Sequence, residues 1–176
     1  MALVRLNNQS ISSVTALPSG VDVGKIGQVV NSSVDYNHLS SSQSFTDMLS
    51  ASATVWETSI TPSSTSSKIL VMGSISVNAY NGSGDEGRAS VKAFYKIGSG
   101  SYTQYKEYYE NVGGYDYGSV NGGVWIKQSL PISSLLSPST TSAVTFKFQM
   151  AVNSGASIQF NNGTSDSQIT LMEVLV

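Results

Sequence analysis

The sequence predicts an all-β fold, an antiparallel jelly-roll-like β-sandwich, on three observations. Apolar residues recur at every second position in several runs, which is the periodicity of a strand with one buried face. Turn residues separate these runs at short intervals, as in a sandwich or jelly roll. Segments with helical spacing are short and rich in Ser, which favours caps and turns over helix interiors. The chain from residue 25 onward is therefore predicted to form strands around one core.

The run from Val144 to Val152 is the clearest strand, since apolar residues occupy every second position and the residues between them are mostly polar. In residues 68–80 the apolar Leu70 and Met72 interrupt the alternation, which predicts that the beginning of this strand is covered on both faces. Segments 39–49 and 132–136 could each form a helical turn. The other predicted strands are 89–97, 124–130 and 168–176, with shorter ones at 26–30, 54–60 and 157–160.

The composition describes one neutral domain with a real core. The chain has 176 residues, of which 40% are hydrophobic and 11% are charged, and its formal net charge is −2. Ordinary domains carry about 25% charged residues, so Ser, Thr, Asn and Gln must solvate this surface. Because the nine Lys and Arg are scattered singly, no basic stripe is available to neutralise phosphates, and no nucleic-acid partner is expected.

Compartment signals are sparse in this sequence. There is no Cys, so neither disulfides nor thiolate metal sites can stabilise the fold. No apolar run approaches the ~20 residues that span a bilayer, which predicts no membrane insertion. The amino-terminal residues MALVRLNNQS lack the apolar core of a secretory signal, and we expect synthesis in a cytoplasm.

Residues 1–24 form a predicted N-terminal arm in front of a β-sandwich domain at 25–176. Apolar residues in the arm are irregularly spaced, and Pro18-Ser19-Gly20 closes the segment. These apolar residues are too few to fold alone, so the arm packs on its own domain or docks on a neighbouring subunit; a disordered tag is the alternative. The residues predicted to anchor the arm are Leu3, Val4, Leu6, Ile11, Val14 and Leu17.

The final run, ITLMEVLV, is apolar on both faces around a single Glu173. One face of such a strand can fill the sandwich while the other meets an identical strand around a symmetry axis. We therefore expect a homo-oligomer, specifically a trimer or similar cyclic assembly. The residues predicted at the subunit interface are Trp56, Trp125, Leu171, Met172, Val174 and Leu175.

Eight of the nine tyrosines fall between Tyr80 and Tyr117, in a stretch rich in Gly. Tyrosine offers a wide contact area with few rotatable angles, so this pattern predicts exposed loops that contact a partner. Alternatively the tyrosines cover the edge of a sheet, because tyrosine is also a favoured strand residue. Their rings could pack on host-surface glycans while Gln104, Asn111 and Asp116 bond the sugar hydroxyls. The residues predicted on these loops are Tyr102, Tyr105, Tyr108, Tyr109, Tyr115 and Tyr117.

Candidates for catalysis and metal binding are weak. His38 lies in a Ser-rich stretch without a nucleophile motif, which indicates a solvated histidine rather than a catalytic base. Glu107 and Glu110 imitate the paired carboxylates of a glycosidase, but ordinary surface carboxylates are expected. Asp85-Glu86 offers two oxygen ligands without a recognised cage. The sequence therefore predicts no enzyme, no metal and no cofactor.

Three segments carry a resemblance to a known group of proteins: LVRLNNQSISSVTALPSG, VWETSITPSSTSSKILVMGSISV and ITLMEVLV. They look like small tail-fibre and virion structural proteins of tailed bacteriophages, especially marine ones. The middle segment is the most specific, with a strand carrying Trp56, a turn at Thr61-Pro62 and a second strand beginning at Lys68. The resemblance implies a non-enzymatic protein on the outside of a virion, made in the host bacterial cytoplasm and usually a trimeric jelly roll.

The resemblance leaves open whether the protein belongs to the capsid or the tail. A short arm suits a capsid decoration or head-fibre protein that docks on other virion proteins, whereas a tail fibre normally has a longer shaft before its tip. The tyrosine-rich stretch instead favours a tail-fibre or tail-tip receptor-binding protein that recognises host-surface glycans.

Overall fold

A computed structural model confirms the all-β prediction. It describes residues 25–50, 53–81, 89–110, 124–152, 156–161 and 166–176. Within these ranges the strands are β1 (Lys25–Val34), β2 (His38–Ser40), β3 (Thr46–Asp47), β4 (Glu57–Ile60), β5 (Lys68–Asn81), β6 (Ala89–Ile97), β7 (Thr103–Glu110), β8 (Val124–Leu136), β9 (Val144–Val152), β10 (Ala156–Phe160) and β11 (Ser167–Leu175).

The strands form two antiparallel sheets that we name sheet A and sheet B. In sheet A the long strands lie in the order β1, β11, β5 and β8, and the short strands β10 and β2 continue the sheet beside the far end of β5. In sheet B the order is β4, β9, β6 and β7, with β3 also paired to β9. From β4 to β10 the chain changes sheets at every step except that from β6 to β7. This alternation is the connectivity of a jelly roll.

The core lies between the two sheets, as the alternation in Val144–Val152 predicted. Phe146, Phe148 and Met150 on β9 point inward and are at most 2% exposed. The inward side chains of sheet A meet them, because alternate residues of each strand point to the same face. From β5, β8 and β11 these are Ile69, Val71, Ile75, Val77, Leu130, Ile132, Ile169 and Leu171.

The two segments that could have formed a helical turn contain strands instead. The segment 39–49 contributes β2 and β3, and residues 132–136 are the second half of β8, which pairs with β5 as far as Leu136. The predicted strand ended at residue 130 because proline is uncommon inside strands and Pro131 interrupts the pattern. Among the described strands β8 pairs only with β5, and a proline, which has no N–H to donate, is tolerated on such an edge strand.

Candidate assembly surface

The outward faces of the two sheets differ in charge. On sheet A, the described outward side chains of the long strands are apolar or carry hydroxyl or amide groups, and the charged residues Lys25 and Lys68 lie at one end of the sheet. On sheet B the outward face carries Asp47, Glu57, Lys92, Lys96, Glu107 and Lys147. Depletion of charge marks the buried centre of an interface, so the outer face of sheet A has the composition of a covered surface.

Apolar side chains form a continuous row across sheet A near this end. Leu70 on β5 pairs with Met172 on β11 and with Leu135 on β8, and Met172 pairs in turn with Val29 on β1. Val29 is 56% exposed and Leu135 is 57% exposed at the two ends of the row. Four neighbouring strands thus present one apolar side chain each at the same level of the sheet.

The rows on either side extend this surface. Towards the end of the sheet, Val174 pairs with Ile26 and with Lys68; in the other direction Met72, which is 43% exposed, pairs with Thr170. A contiguous apolar surface is unlike the isolated apolar residues found on most protein surfaces and marks an interaction site. We call it the outer patch, and it consists of Ile26, Val29, Leu70, Met72, Leu135, Met172 and Val174.

A buried carboxylate stabilises the sheet beneath the outer patch. Glu173 lies between Met172 and Val174, points inward and is 1% exposed. The backbone N–H and the hydroxyl of Ser63 donate to its Oε1 at 2.6 and 2.7 Å, and Gln28 Nε2 donates to Oε2 at 3.2 Å. A Cβ atom at Gly27 would lie 2.7 Å from Oε2, so a larger residue here would displace the carboxylate. The network joins β1, the β4–β5 turn and β11.

This network predicts a specific loss of stability in acid. Burial alone raises the pKa of Glu173, but hydrogen bonds from Ser63 and Gln28 lower it from 4.5 to about 2. A lowered folded-state pKa gives stability that is complete above pH 4.5 and is lost as the pH falls towards 2. Glu173→Gln should cost about 2 kcal/mol near neutral pH, because one donor then faces another, and should flatten this acid dependence.

Urea unfolding across this pH range measures both effects. Glu107→Gln is the matched control, because the Glu107 carboxylate lies on the outer face of sheet B and contacts Lys92 at 3.8 Å. The control should lose less than about 1 kcal/mol, as is typical of a surface ion pair. An acid dependence of Glu173→Gln that equals that of the unmodified chain would contradict the role of the buried carboxylate.

The outer face of sheet B is a network of ion pairs and aromatic rings. Lys147 Nζ contacts Asp47 Oδ1 at 2.7 Å and lies 4.6 Å from the centre of the Tyr102 ring. Tyr102 donates its hydroxyl proton to Glu57 Oε1 at 2.6 Å, and Lys96 Nζ lies 4.6 Å from the same ring. Burial and the Glu57 carboxylate raise the pKa of Tyr102. Cations and carboxylates are paired throughout, which is typical of a face in contact with solvent.

Two residues predicted at the subunit interface lie in the core, so their prediction is wrong. Trp56 is 4% exposed, its ring lies 5.6 Å from that of Phe148, and its Nε1 donates to Ser32 Oγ at 2.9 Å. Leu171 is fully buried between the sheets. Both residues lie at inward positions of their strands. The sequence alone does not show which face of a strand an apolar residue occupies.

The remaining interface predictions have mixed positions. Met172 and Val174 point outward and belong to the outer patch, as a two-sided strand requires. Leu175 is half-buried at the end of β11. Trp125 lies in β8, but its side chain is outside the described residues, as are all six residues predicted for the arm. The trimer and the arm contacts remain predictions.

The tyrosines do not form one exposed loop. Tyr105 and Tyr108 lie in β7 and pack against the core, and the Tyr105 ring is 5.8 Å from that of Phe146. Their prediction as exposed loop residues is wrong, since they occupy the inward side of a strand. Tyr102 precedes β7 and is half-buried on the face of sheet B. The Tyr109 side chain, Tyr115 and Tyr117 lie outside the described residues.

The polar candidates for chemistry are dispersed. His38 lies in β2, where burial lowers the pKa of its imidazole, and its ring contacts Tyr36 edge to face. Glu110 ends β7, and the neighbouring Glu107 contacts Lys92. Asp85 and Glu86 lie outside the described residues. In the part of the chain that the structure describes, no three His, Asp or Glu side chains are grouped to hold a metal ion.

No helix among the described residues is long and apolar enough to cross a membrane.

The outer patch contains five residues that the sequence did not assign to an interface: Ile26, Val29, Leu70, Met72 and Leu135. One signal for them was available, since Leu70 and Met72 make the beginning of β5 apolar on both faces. The rest could be grouped only after the strand register was known.

Comparisons with known proteins give distant structural likenesses. No protein-family model and no curated protein matches the chain. A crystal structure of the infectious bursal disease virus VP2 subviral particle matches at 11% identity and a TM-score of 0.41, covering 85% of this chain and 38% of that one. The Gx strain of the same virus matches at 9% identity and a TM-score of 0.36, covering 85% and 40%. This chain spans about two fifths of those chains, and such low TM-scores carry no conclusion about function.

Proposed function

We propose that the chain is a non-enzymatic structural protein of a virion surface, a capsid decoration or head-fibre protein of a tailed bacteriophage. The observation that carries the proposal is the partly apolar outer face of sheet A, whose described side chains carry charge only at one end, on a jelly roll whose other face is charged. Such a subunit presents one side to neighbours and the other to solvent. The assignment to a virion comes from the resemblance of three sequence segments to virion structural proteins.

Burial of the outer patch in an interface would stabilise the assembled protein. Association removes apolar area from water at about 25 cal/mol per Å2, and a standard interface of roughly 1,600 Å2 stabilises the subunit as well as the particle. Ordering and association entropy oppose this gain, so the net effect is smaller. With no Cys for disulfides, the stability of the protein should rise with its concentration.

The N-terminal arm is the proposed contact with other virion proteins. The arm precedes β1 in the sequence, and β1 begins at the edge of the outer patch with Lys25 and Ile26. The trimer that the resemblance implies is the proposed stoichiometry on the particle.

Binding to particles from which the protein has been stripped tests this function. The double substitution of Leu6→Ser with Ile11→Ser should weaken binding about 100-fold, since each buried side chain of this kind contributes roughly 1.5 kcal/mol or more. Asn8→Ser with Gln9→Ser is the matched control, because it changes only polar residues of the same arm, and it should bind like the unmodified chain.

Two outcomes would contradict the decoration role. If both double variants bind particles equally well, the apolar arm does not anchor the protein. If the unmodified chain does not bind capsids but adheres to host cells, the receptor-binding alternative replaces it. Its contact residues would then be sought among Tyr109, Tyr115 and Tyr117, since Tyr105 and Tyr108 face the core.

A further inference from the structure

We propose that the outer patch binds the outer patch of a second copy of this chain, face to face. The two copies are related by a two-fold axis that lies between the two sheets and runs across the strands. The inference rests on the proposed assembly function and names the partner of that surface. Stacked sheets lie about 10 Å apart with their apolar sides together, and two copies would repeat this arrangement outside the sandwich.

The charge distribution favours a second copy as the partner. A buried charge without a partner is costly, so a surface with almost no charge requires a partner face that is also uncharged. The described outward side chains on the long strands of sheet A meet this condition except at the end of the sheet that carries Lys25 and Lys68, whereas the outer face of sheet B carries paired lysines and carboxylates. Beyond the outer patch, sheet A continues with Asn31, Ser33, Thr170 and Ser133, which can approach a second uncharged face closely.

Lys68 selects the orientation of the two copies. It points outward on β5, one level from the row that contains Leu70. With the axis along the strands, the Lys68 side chains of the two copies would lie about one strand spacing apart, roughly 5 Å. With the axis across the strands and through the Leu70 row, they lie on opposite sides, roughly 13 Å apart along the strands, which exceeds the screening length of about 8 Å. Repulsion therefore disfavours the first arrangement.

The favoured arrangement also covers the Lys68 side chain. Each Lys68 then lies over Met72 of the partner subunit, where its aliphatic stem packs on an apolar side chain while the ammonium group reaches solvent. Every residue in the central row meets its own copy, because that row coincides with the axis. Leu135 contacts Leu135 of the partner subunit at one end of the row. The contact builds a dimer, and a trimer would require a second interface.

Complementary charges at Leu135 test this contact in the full-length chain. Light scattering over a concentration series should give the unmodified protein twice the subunit mass of 18.6 kDa. Leu135→Lys and Leu135→Glu should each weaken self-association at least about 100-fold, because two like charges meet in a desolvated contact. An equal mixture of the two variants should restore the dimer. Leu135 is 57% exposed, so both variants should fold, which circular dichroism verifies.

Two further variants complete the test. Gln104→Lys places the same charge on the exposed outer face of sheet B and should leave the dimer unchanged. The chain has no Cys, so Leu135→Cys carries a single thiol that should form a disulfide-linked dimer under mild oxidation. Covalent dimers from Gln104→Cys under the same conditions would indicate random collision and would count against the contact.

The outcomes separate the contact from the proposed function. A dimer that persists in Leu135→Lys, or a mixture that fails to restore the dimer, overturns the two-fold contact. Assembly through a different surface would remain compatible with either result. An unmodified chain that is monomeric throughout the series but binds stripped capsids overturns this inference and leaves the virion role intact. Restoration together with cross-linking at Leu135 establishes the contact.

Discussion

Replacing Phe146 by alanine is expected to lower the free energy of unfolding by about 4 kcal/mol. The Phe146 side chain on β9 is fully buried, and its ring contacts Tyr95 and Tyr105 at centroid distances of 6.4 and 5.8 Å. Its removal leaves a cavity between the sheets that the surrounding strands cannot close. Domains are stable by about 5–15 kcal/mol, so this one change removes a large part of the total.

Urea unfolding at a fixed protein concentration measures the loss, because association adds to the apparent stability. Phe94→Ala is the control: Phe94 lies on the neighbouring strand of the same sheet, but it points outward and is half-buried. Its loss should be about 1 kcal/mol, mainly from the contact with Lys147. Equal losses for both variants would show that the core does not lie between the two sheets.

Gly73→Ala is the second change with a large expected effect. Gly73 lies in β5 opposite Ile169, and a Cβ atom there would lie 2.1 Å from the backbone oxygen of Gln168. Backbone cannot move aside as a flexible side chain can, so β5 and β11 must separate. We expect a loss of at least about 3 kcal/mol and weaker self-association, because the outer patch spans both strands.

The adjacent Ser74→Ala is the control for that experiment, since Ser74 points outward and is half-buried. It should change the free energy of unfolding by less than about 0.5 kcal/mol. Thermal or urea unfolding, together with light scattering, gives both quantities. A Gly73→Ala protein as stable as Ser74→Ala would contradict the close approach of β5 and β11.

The strand that the sequence predicted best is β9, in which apolar residues alternate with mostly polar ones along the whole length, so its bounds could be read directly. Its burial is less one-sided than its sequence, because Thr145 and Ala151 on the other face are also buried. Strand β7 was missed because its tyrosines lie among Gly-rich turns, and only packing of Tyr105 and Tyr108 on the core distinguishes a strand from a loop. The end of β8 was missed because Pro131 and its serines resemble a turn, whereas pairing with β5 determines its conformation.

The candidate surface was predictable only in part. Two apolar faces on the last strand indicated an interface, and Met172 and Val174 do point outward. Val29 and Leu135, at the ends of the same row, are separated by more than half the chain, and only the register of four strands brings them to one level. Trp56 was misassigned because a large apolar residue fits a core and an interface equally well.

The outer face of sheet A should be covered when the protein assembles. The rate of Met72 oxidation by peroxide tests this coverage directly, because Met72 is 43% exposed in the subunit while Met48, at 2%, is an internal control. Met72 should oxidise several-fold more slowly in the assembled chain than in Leu135→Lys at the same concentration, with Met48 slow in both. Equal Met72 rates, in samples that light scattering shows to be assembled and monomeric respectively, would contradict this coverage.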